Sequence, residues 1–117
     1  MNKIDLENRL IDFSVEIIKL IRLLPNDIIG KTISNQLIRS GTSPALNYGE
    51  AQSAESRKDF IHKMNIVLKE LRESYVALKI INRAKLTDNK MLDVLMIECN
   101  ELISIFVKSV NTASNMK

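Results

Sequence analysis

Proline, glycine, cysteine and aromatic residues are scarce in this sequence of 117 residues, which contains two Pro, three Gly, one Cys and no Trp. An all-β domain needs many turns, and Gly and Pro supply most of them, so their shortage favours helices. A single cysteine excludes an intramolecular disulfide and a cysteine-based zinc cluster. The hydrophobic fraction of 45% and the charged fraction of 26% are typical of a globular chain rather than a disordered one.

Long apolar runs are absent as well. Charged residues interrupt the first turns of the chain, so it does not resemble a signal peptide. No run approaches the ~18 apolar residues that a membrane helix needs. We therefore expect a cytoplasmic protein with no membrane partner, and the unpaired Cys99 agrees with a reducing compartment.

Charge of one sign is concentrated in the middle of the chain. The net charge is only +3, from 17 basic and 14 acidic residues. Residues 1–30 carry 4 basic and 5 acidic groups, and residues 86–117 carry 3 and 4. Residues 31–85 carry 10 basic and 5 acidic groups, so the whole positive excess lies there.

Hydrophobic periodicity predicts four helices, over about residues 3–24, 27–50, 54–84 and 89–114. The connections are short, which favours an all-α, up-down antiparallel four-helix bundle formed by a single domain, residues 1–117. Gly41 and Pro44 fall inside the second helix, so we expect a kink near these residues, with two short helices as the alternative. The predicted core face of this helix consists of Ile29, Ile33, Leu37, Pro44, Tyr48 and Ala51.

The first helix has a second apolar strip opposite its core face. We call this the isoleucine strip; it consists of Ile4, Ile11, Val15 and Ile18. A helix in a bundle buries one face, so a second strip at heptad spacing indicates self-association, and incidental exposure is the alternative.

The second helix has a polar stripe next to its core face, and the third helix has a row of cations. The polar stripe (Gln36, Arg39, Ser43, Asn47 and Glu50) is interpreted as a structural hydrogen-bonded network, with a polar ligand site as the alternative.

The row of cations on the third helix, which we call the basic stripe, lies within an arc of roughly 80° and extends over about 37 Å at 1.5 Å per residue. Its members are Lys58, Lys69, Arg72, Lys79 and Arg83.

Unpaired cations in such a row suit a phosphate backbone, and a solvated basic face is the alternative. No aromatic residue alternates with the cations, so base stacking is not indicated.

Residues for catalysis or metal binding are not apparent. His62 is the only histidine and falls among polar positions, and Cys99 lies in an apolar stripe, so we expect a buried, inert thiol. Glu70 and Glu73 are interpreted as a surface ion-pair network with Lys63 and Lys69. We expect no catalytic residues, no metal and no cofactor, and hence no enzyme.

The central segment resembles a known family, the four-helix-bundle proteins named for the intervening sequences of bacterial 23S ribosomal RNA genes. The resemblance rests on Arg39-Ser40-Gly41-Thr42-Ser43, Asn47-Tyr48, Glu50-Ala51, Ala54, Ser56-Arg57, Asp59-Phe60-Ile61, Lys63, Leu68-Lys69-Glu70 and Glu73. This chain departs from the usual pattern at Pro44, where many relatives have a β-branched residue. It also departs at Val76-Ala77, where relatives often carry an aromatic pair.

The resemblance implies a left-handed bundle that assembles into a homopentameric ring. A related group, the accessory variability determinants of diversity-generating retroelements, forms basic pentamers that bind a reverse transcriptase and nucleic acid. The leading hypothesis is therefore a non-enzymatic oligomer that binds nucleic acid, RNA above all, through the basic stripe. The alternative is a scaffold that recruits a protein partner, and an enzyme acting through the polar stripe is a distant third.

Overall fold

The computed structural model of the protein describes residues 1–115 and contains four α-helices. They are α1 (Lys3–Ile21), α2 (Ile28–Ala51), α3 (Arg57–Arg83) and α4 (Lys90–Asn115). Each helix packs along two others, in the cyclic order α1–α2–α3–α4, and the molecule measures 49 × 22 × 21 Å. The described residues contain no strand. The predicted all-α four-helix bundle is confirmed.

The diagonal helices meet only through core side chains. Neither α1 and α3 nor α2 and α4 bring Cα atoms within 8 Å of each other. The ring of Tyr48 on α2 lies edge-on to Phe106 on α4, with 5.6 Å between the ring centroids. Helix α3 therefore occupies the corner opposite α1.

The core faces predicted for α1, α3 and α4 are buried. The residues that are fully enclosed include Leu10, Phe13, Ile17, Leu20, Val67, Leu71, Leu78, Cys99, Leu102 and Phe106. On α2 the prediction holds for Leu37, Pro44, Tyr48 and Ala51 and fails for Ile29, which is 56% exposed. Ile29 lies in the first turn of α2 and falls roughly 80° from Leu37 at 100° per residue, so it stands at the edge of the core face.

Side chains that accept backbone hydrogen bonds define the helix starts. Asn2, Asp27 and Ser56 each accept from the backbone N–H three residues ahead and thereby cap α1, α2 and α3. The N–H of Ser53 donates to the carbonyl of Glu50 within the connection between α2 and α3. Helix α3 consequently begins at Arg57 rather than near residue 54.

Helix α2 continues through Gly41 and Pro44 without interruption, so the alternative of two short helices is excluded. Pro44 is fully buried among core side chains, which compensates for the backbone donor that it lacks. The amount of bending at this point stays a prediction.

Small residues allow α2 to approach both of its neighbours closely. The Ser14 hydroxyl on α1 donates to the carbonyl of Gly41 over 2.9 Å. On the other side, the hydroxyls of Ser40 and Ser74 are 3.0 Å apart in the α2–α3 contact, and both residues are completely buried. Since no buried side-chain nitrogen or oxygen in residues 1–115 lacks a hydrogen-bond partner, these serines are compatible with the apolar core.

Among the described residues, no helix combines the length and the apolar character needed to cross a membrane.

Candidate nucleic-acid interface

Helix α3 is a platform 27 residues long with capping features at both ends. At its start, the Ser56 hydroxyl accepts from the N–H of Asp59, and the Asp59 carboxylate accepts from the N–H of Glu55. At its end, the N–H of Leu86 donates to the carbonyl of Ile81, and Lys85 adopts a left-handed backbone with φ of 54°. This pair of features is a Schellman motif, which satisfies the last carbonyls of the helix.

The basic stripe lies along the outer side of this platform. Lys58, Lys69, Arg72 and Arg83 are exposed, and Lys79 is half-buried. No nitrogen of these five side chains lies within 4.0 Å of a carboxylate oxygen in residues 1–115. The stripe therefore presents positive charge that the described part of the chain does not neutralise by direct pairing.

Lys79 is held in place by an aromatic ring rather than by a carboxylate. Its Nζ lies 4.9 Å from the centroid of the Tyr75 ring, within the range of a cation–π contact. The contact orients the ammonium without cancelling its charge.

The two carboxylates in the middle of α3 are drawn to α2. Arg39 donates to Glu73 over 2.6 Å and to Glu70 over 3.2 Å. Burial, and then the neighbouring Glu73, raise the pKa of Glu70, while Arg39 and Lys69 oppose the increase. The pKa of Arg39 is raised in turn, first by its hydrogen bond to Glu73. These contacts keep the negative charge of α3 at its edge with α2.

This pairing differs from the predicted one. Glu70 and Glu73 were expected to pair with Lys63 and Lys69 on α3, but their close partner is Arg39 on α2. The ammonium of Lys63 instead lies 3.6 Å from Glu50 on α2. Periodicity within one helix could not indicate these partners, because they depend on the register between two helices.

The polar stripe of α2 is not one network, in contrast to its interpretation from the sequence. The amide of Asn47 donates to the hydroxyl and the carbonyl of Ser43, at 2.8 and 3.0 Å. Arg39 and Glu50, at the two ends, turn separately to α3. The stripe is thus divided into one local contact within α2 and two cross-links between α2 and α3.

The isoleucine strip is accessible along most of its length. Ile4 is 66% exposed, Ile11 and Val15 are each 42% exposed, and Ile18 is half-buried. A continuous apolar surface of this kind is unusual on a monomer and is typical of an interaction site.

Groups with chemical reactivity are isolated from one another. His62 is exposed on α3, whereas Cys99 is enclosed in the core, as expected, with its thiol donating to the carbonyl of Leu71 over 3.3 Å. Burial raises the pKa of the Cys99 thiol to about 12. Within residues 1–115, no group of three or more His, Cys, Asp or Glu side chains could hold a metal ion.

Comparison with known proteins agrees with the resemblance of the central segment. The sequence pattern of the family described as 23S rRNA-intervening sequence protein matches residues 2–108. The chain belongs to this family. No curated protein matches the chain.

A solved structure shares the fold of this chain. It is the 1.70 Å crystal structure of a protein of unknown function, from the S23 ribosomal protein family, of Bacteroides thetaiotaomicron VPI-5482. The two sequences are 30% identical, and the TM-score is 0.85 over 95% of this chain and 99% of the other. The similarity covers the whole bundle.

Proposed function

We propose that this protein binds nucleic acid, structured RNA in particular, through the basic stripe of α3. The observation that carries the proposal is the row of five cations, none of which has a carboxylate oxygen within 4.0 Å among the described residues. Phosphate contacts require charge at intervals along a backbone and no base-edge geometry. The description of the family refers to 23S rRNA, so ribosomal RNA is the first ligand to test.

The positions of the carboxylates support the same proposal. A solvated surface usually mixes both signs of charge, but here Arg39 draws Glu70 and Glu73 to the α2 edge. A phosphate backbone that follows the stripe would therefore meet Lys69 and Arg72 before it meets a carboxylate. RNA binding also implies a cytoplasmic location for the protein.

Fluorescence anisotropy with a labelled 23S rRNA fragment at low salt tests this proposal. Reversal of two central charges, Lys69→Glu with Arg72→Glu, is expected to weaken binding at least tenfold because two phosphate contacts become repulsive. The matched control is Lys3→Glu with Lys31→Glu, which makes the same change in net charge at exposed positions on α1 and α2. Equal loss in both variants, or no binding by the wild type, would refute the proposal.

We also propose that the protein self-associates through the isoleucine strip into a homo-oligomer, as a pentamer. The exposure of Ile4, Ile11 and Val15 supports self-association, and the family resemblance supports the number of subunits. A ring would repeat the basic stripe and raise its affinity for a long RNA without any new contact. Light scattering tests this point: a mass near that of the 13.3 kDa monomer at micromolar concentration would contradict it.

A second candidate function is that of a protein-recruiting scaffold, for example for a nucleic-acid enzyme. Ile28 and Ile29, at the start of α2, are 79% and 56% exposed and line a shallow apolar surface with Ile33. Pull-down from the native host distinguishes the two functions, because a scaffold would retain its partner in high salt and after nuclease treatment. Ile28→Glu should release such a partner.

Neither candidate function involves catalysis. The ionisable groups of the polar stripe, Arg39 and Glu50, are each paired with an oppositely charged group on α3, so neither is poised as an acid or a base. A small molecule found bound beside Asn47 would reopen the possibility of an enzyme.

A further inference from the structure

A second apolar surface lies on the other side of α1, where the bundle closes between α1 and α4. A groove of about 300 Å³ separates these helices, and Phe13 and Leu95 form its floor. Val94 and Ile97 stand at its α4 edge and are 66% and 64% exposed. We call this the α1/α4 groove.

Carboxylates surround the α1/α4 groove. Asp12 and Glu16 lie on the α1 side, and Glu98 and Glu101 lie on the α4 side. Arg9 pairs with Glu98 at 2.7 Å and with Glu101 at 3.6 Å, and Lys19 pairs with Glu16 at 3.2 Å. Four acidic groups and two basic groups leave the rim negative, in a chain whose net charge is positive.

The isoleucine strip ends at a positive charge, Arg22, which is the C-cap of α1. At 100° per residue, its four members fall within an arc of roughly 60° on α1, and Arg22 is the one charged residue in the same arc. Arg22 is exposed and has no ion pair among the described residues. The strip is thus an apolar ridge that ends in a cation, and the groove is an apolar cleft with an anionic rim.

We propose that the isoleucine strip of one copy of this chain lies in the α1/α4 groove of the next copy. This inference rests on the proposed self-association and specifies its geometry. An apolar centre with a charged rim on each side is the usual anatomy of a protein–protein interface. Charge complementarity favours strip against groove, since the exposed Arg22 at the end of the strip would meet the carboxylates of the groove rim.

The contact is heterologous, because it joins two different surfaces of the same chain. Head-to-tail contacts of this kind close into rings when the rotation between successive copies allows it, whereas a contact of strip with strip would stop at a dimer. Both surfaces border α1, so α1 becomes buried from two sides in the assembly. Helix α3 is diagonal to α1, so this contact between copies does not cover the basic stripe.

Complementation between two defective variants tests the inference. The strip variant combines Ile11→Glu with Val15→Glu, and the groove variant is Ile97→Arg; all three positions are exposed, so the fold should persist, as circular dichroism can verify. Each variant alone is expected to be monomeric by light scattering. Mixed together, they are expected to form a 1:1 dimer, because one retains an intact groove and the other an intact strip.

The control is Ile28→Glu, which changes an apolar residue that is 79% exposed and outside both surfaces, and which should leave the oligomer unchanged. Ile97→Ser provides a milder groove variant, expected to dissociate at a concentration at least tenfold higher than the wild type. The inference would be overturned if the groove variants formed an oligomer of the same mass as the wild type, or if the mixture of strip and groove variants stayed monomeric. Either result would leave the proposed self-association intact. A monomeric wild type would instead refute the proposed self-association itself.

Discussion

Arg39 on α2 lies 2.6 Å from the carboxylate of Glu73 on α3. The same guanidinium reaches Glu70 at 3.2 Å, so one cation connects two carboxylates across the helix contact. The Arg39 side chain is 57% exposed, and ion pairs that are this accessible to water contribute little to stability. The effect of Arg39 is electrostatic, because its ion pairs hold Glu70 and Glu73 at the edge of α3 that faces α2, away from the basic stripe.

Glu70 should make the stability of the protein depend on pH. Its pKa is raised above 4.5 by burial and by Glu73, so its ionisation costs stability at neutral pH. That cost should disappear as the pH falls through the raised pKa of the folded state towards the ordinary carboxyl value. Glu70→Gln removes this ionisation, so the variant should have a higher free energy of unfolding than the wild type at neutral pH. The difference between the two proteins should shrink as the pH falls towards 4.5.

Chemical denaturation of both proteins over this pH range measures the difference. Subtraction of the two curves cancels the other titrating groups that the substitution does not affect. A difference that stays constant, or that grows as the pH falls, would contradict the assignment.

Gly41 is expected to tolerate no larger residue. A Cβ at this position would lie 2.8 Å from Cγ2 of Ile17, which is completely buried on α1. Gly41→Ala should therefore destabilise the fold by about 1–3 kcal/mol, since the overpacked contact would force α1 and α2 apart. Urea denaturation measures this change.

Gly49 offers a matched control on the same helix. A Cβ there meets no atom within 4 Å, so Gly49→Ala should stabilise α2 by about 0.5–1 kcal/mol through helix propensity alone. Equal effects of the two substitutions would show that the close approach of Ile17 does not determine the outcome.

Lys85 occupies a position that suits glycine. Its φ of 54° ends α3 in the left-handed region, which is unfavourable for a residue with a Cβ. Lys85→Gly should raise the free energy of unfolding by about 1 kcal/mol. Ala84→Gly is the control, because Ala84 has φ of −80° and should gain nothing from the change. A loss of stability in Lys85→Gly would contradict the left-handed cap.

Cys99 should be chemically silent in the folded protein. The side chain is fully enclosed, and burial raises the pKa of its thiol to about 12, so the reactive thiolate is scarce. Iodoacetamide at mildly alkaline pH should leave the native protein unmodified and should alkylate it fully in guanidinium chloride, as mass spectrometry can measure. Rapid, complete alkylation of the folded protein would show that the thiol is accessible.

The fold was largely predictable from the sequence, because burial follows helical periodicity. Apolar residues recur at helical spacing in α1, α3 and α4, and this spacing places Leu10, Leu71 and Leu102 in one core. Ile29, which is exposed, shows the limit of this approach: periodicity identifies a face of a helix, but not how far around the helix its neighbours cover that face. The burial of Ser40 and Ser74 was not predictable from the sequence, since their hydroxyls form a hydrogen bond with each other only after α2 and α3 pack.

The candidate site was predictable only in part. The spacing of Lys69 and Arg72 placed the basic stripe on one side of α3, and both side chains are exposed there. The partners of the acidic residues were not predictable, because Arg39 reaches Glu73 across a difference of 34 positions in the chain. Such contacts depend on the register between helices, which a pattern within one helix does not contain.

The salt dependence of RNA affinity tests the central claim most directly. The dissociation constant of a 23S rRNA fragment is measured over a series of salt concentrations for the wild type and for the Lys69→Glu, Arg72→Glu variant. The wild type should show a linear decrease of log affinity with log salt, and the variant a slope smaller by roughly 1.5, since each lost phosphate contact removes roughly 0.7–0.9. A wild-type affinity that does not depend on salt, or identical slopes for both proteins, would contradict the account.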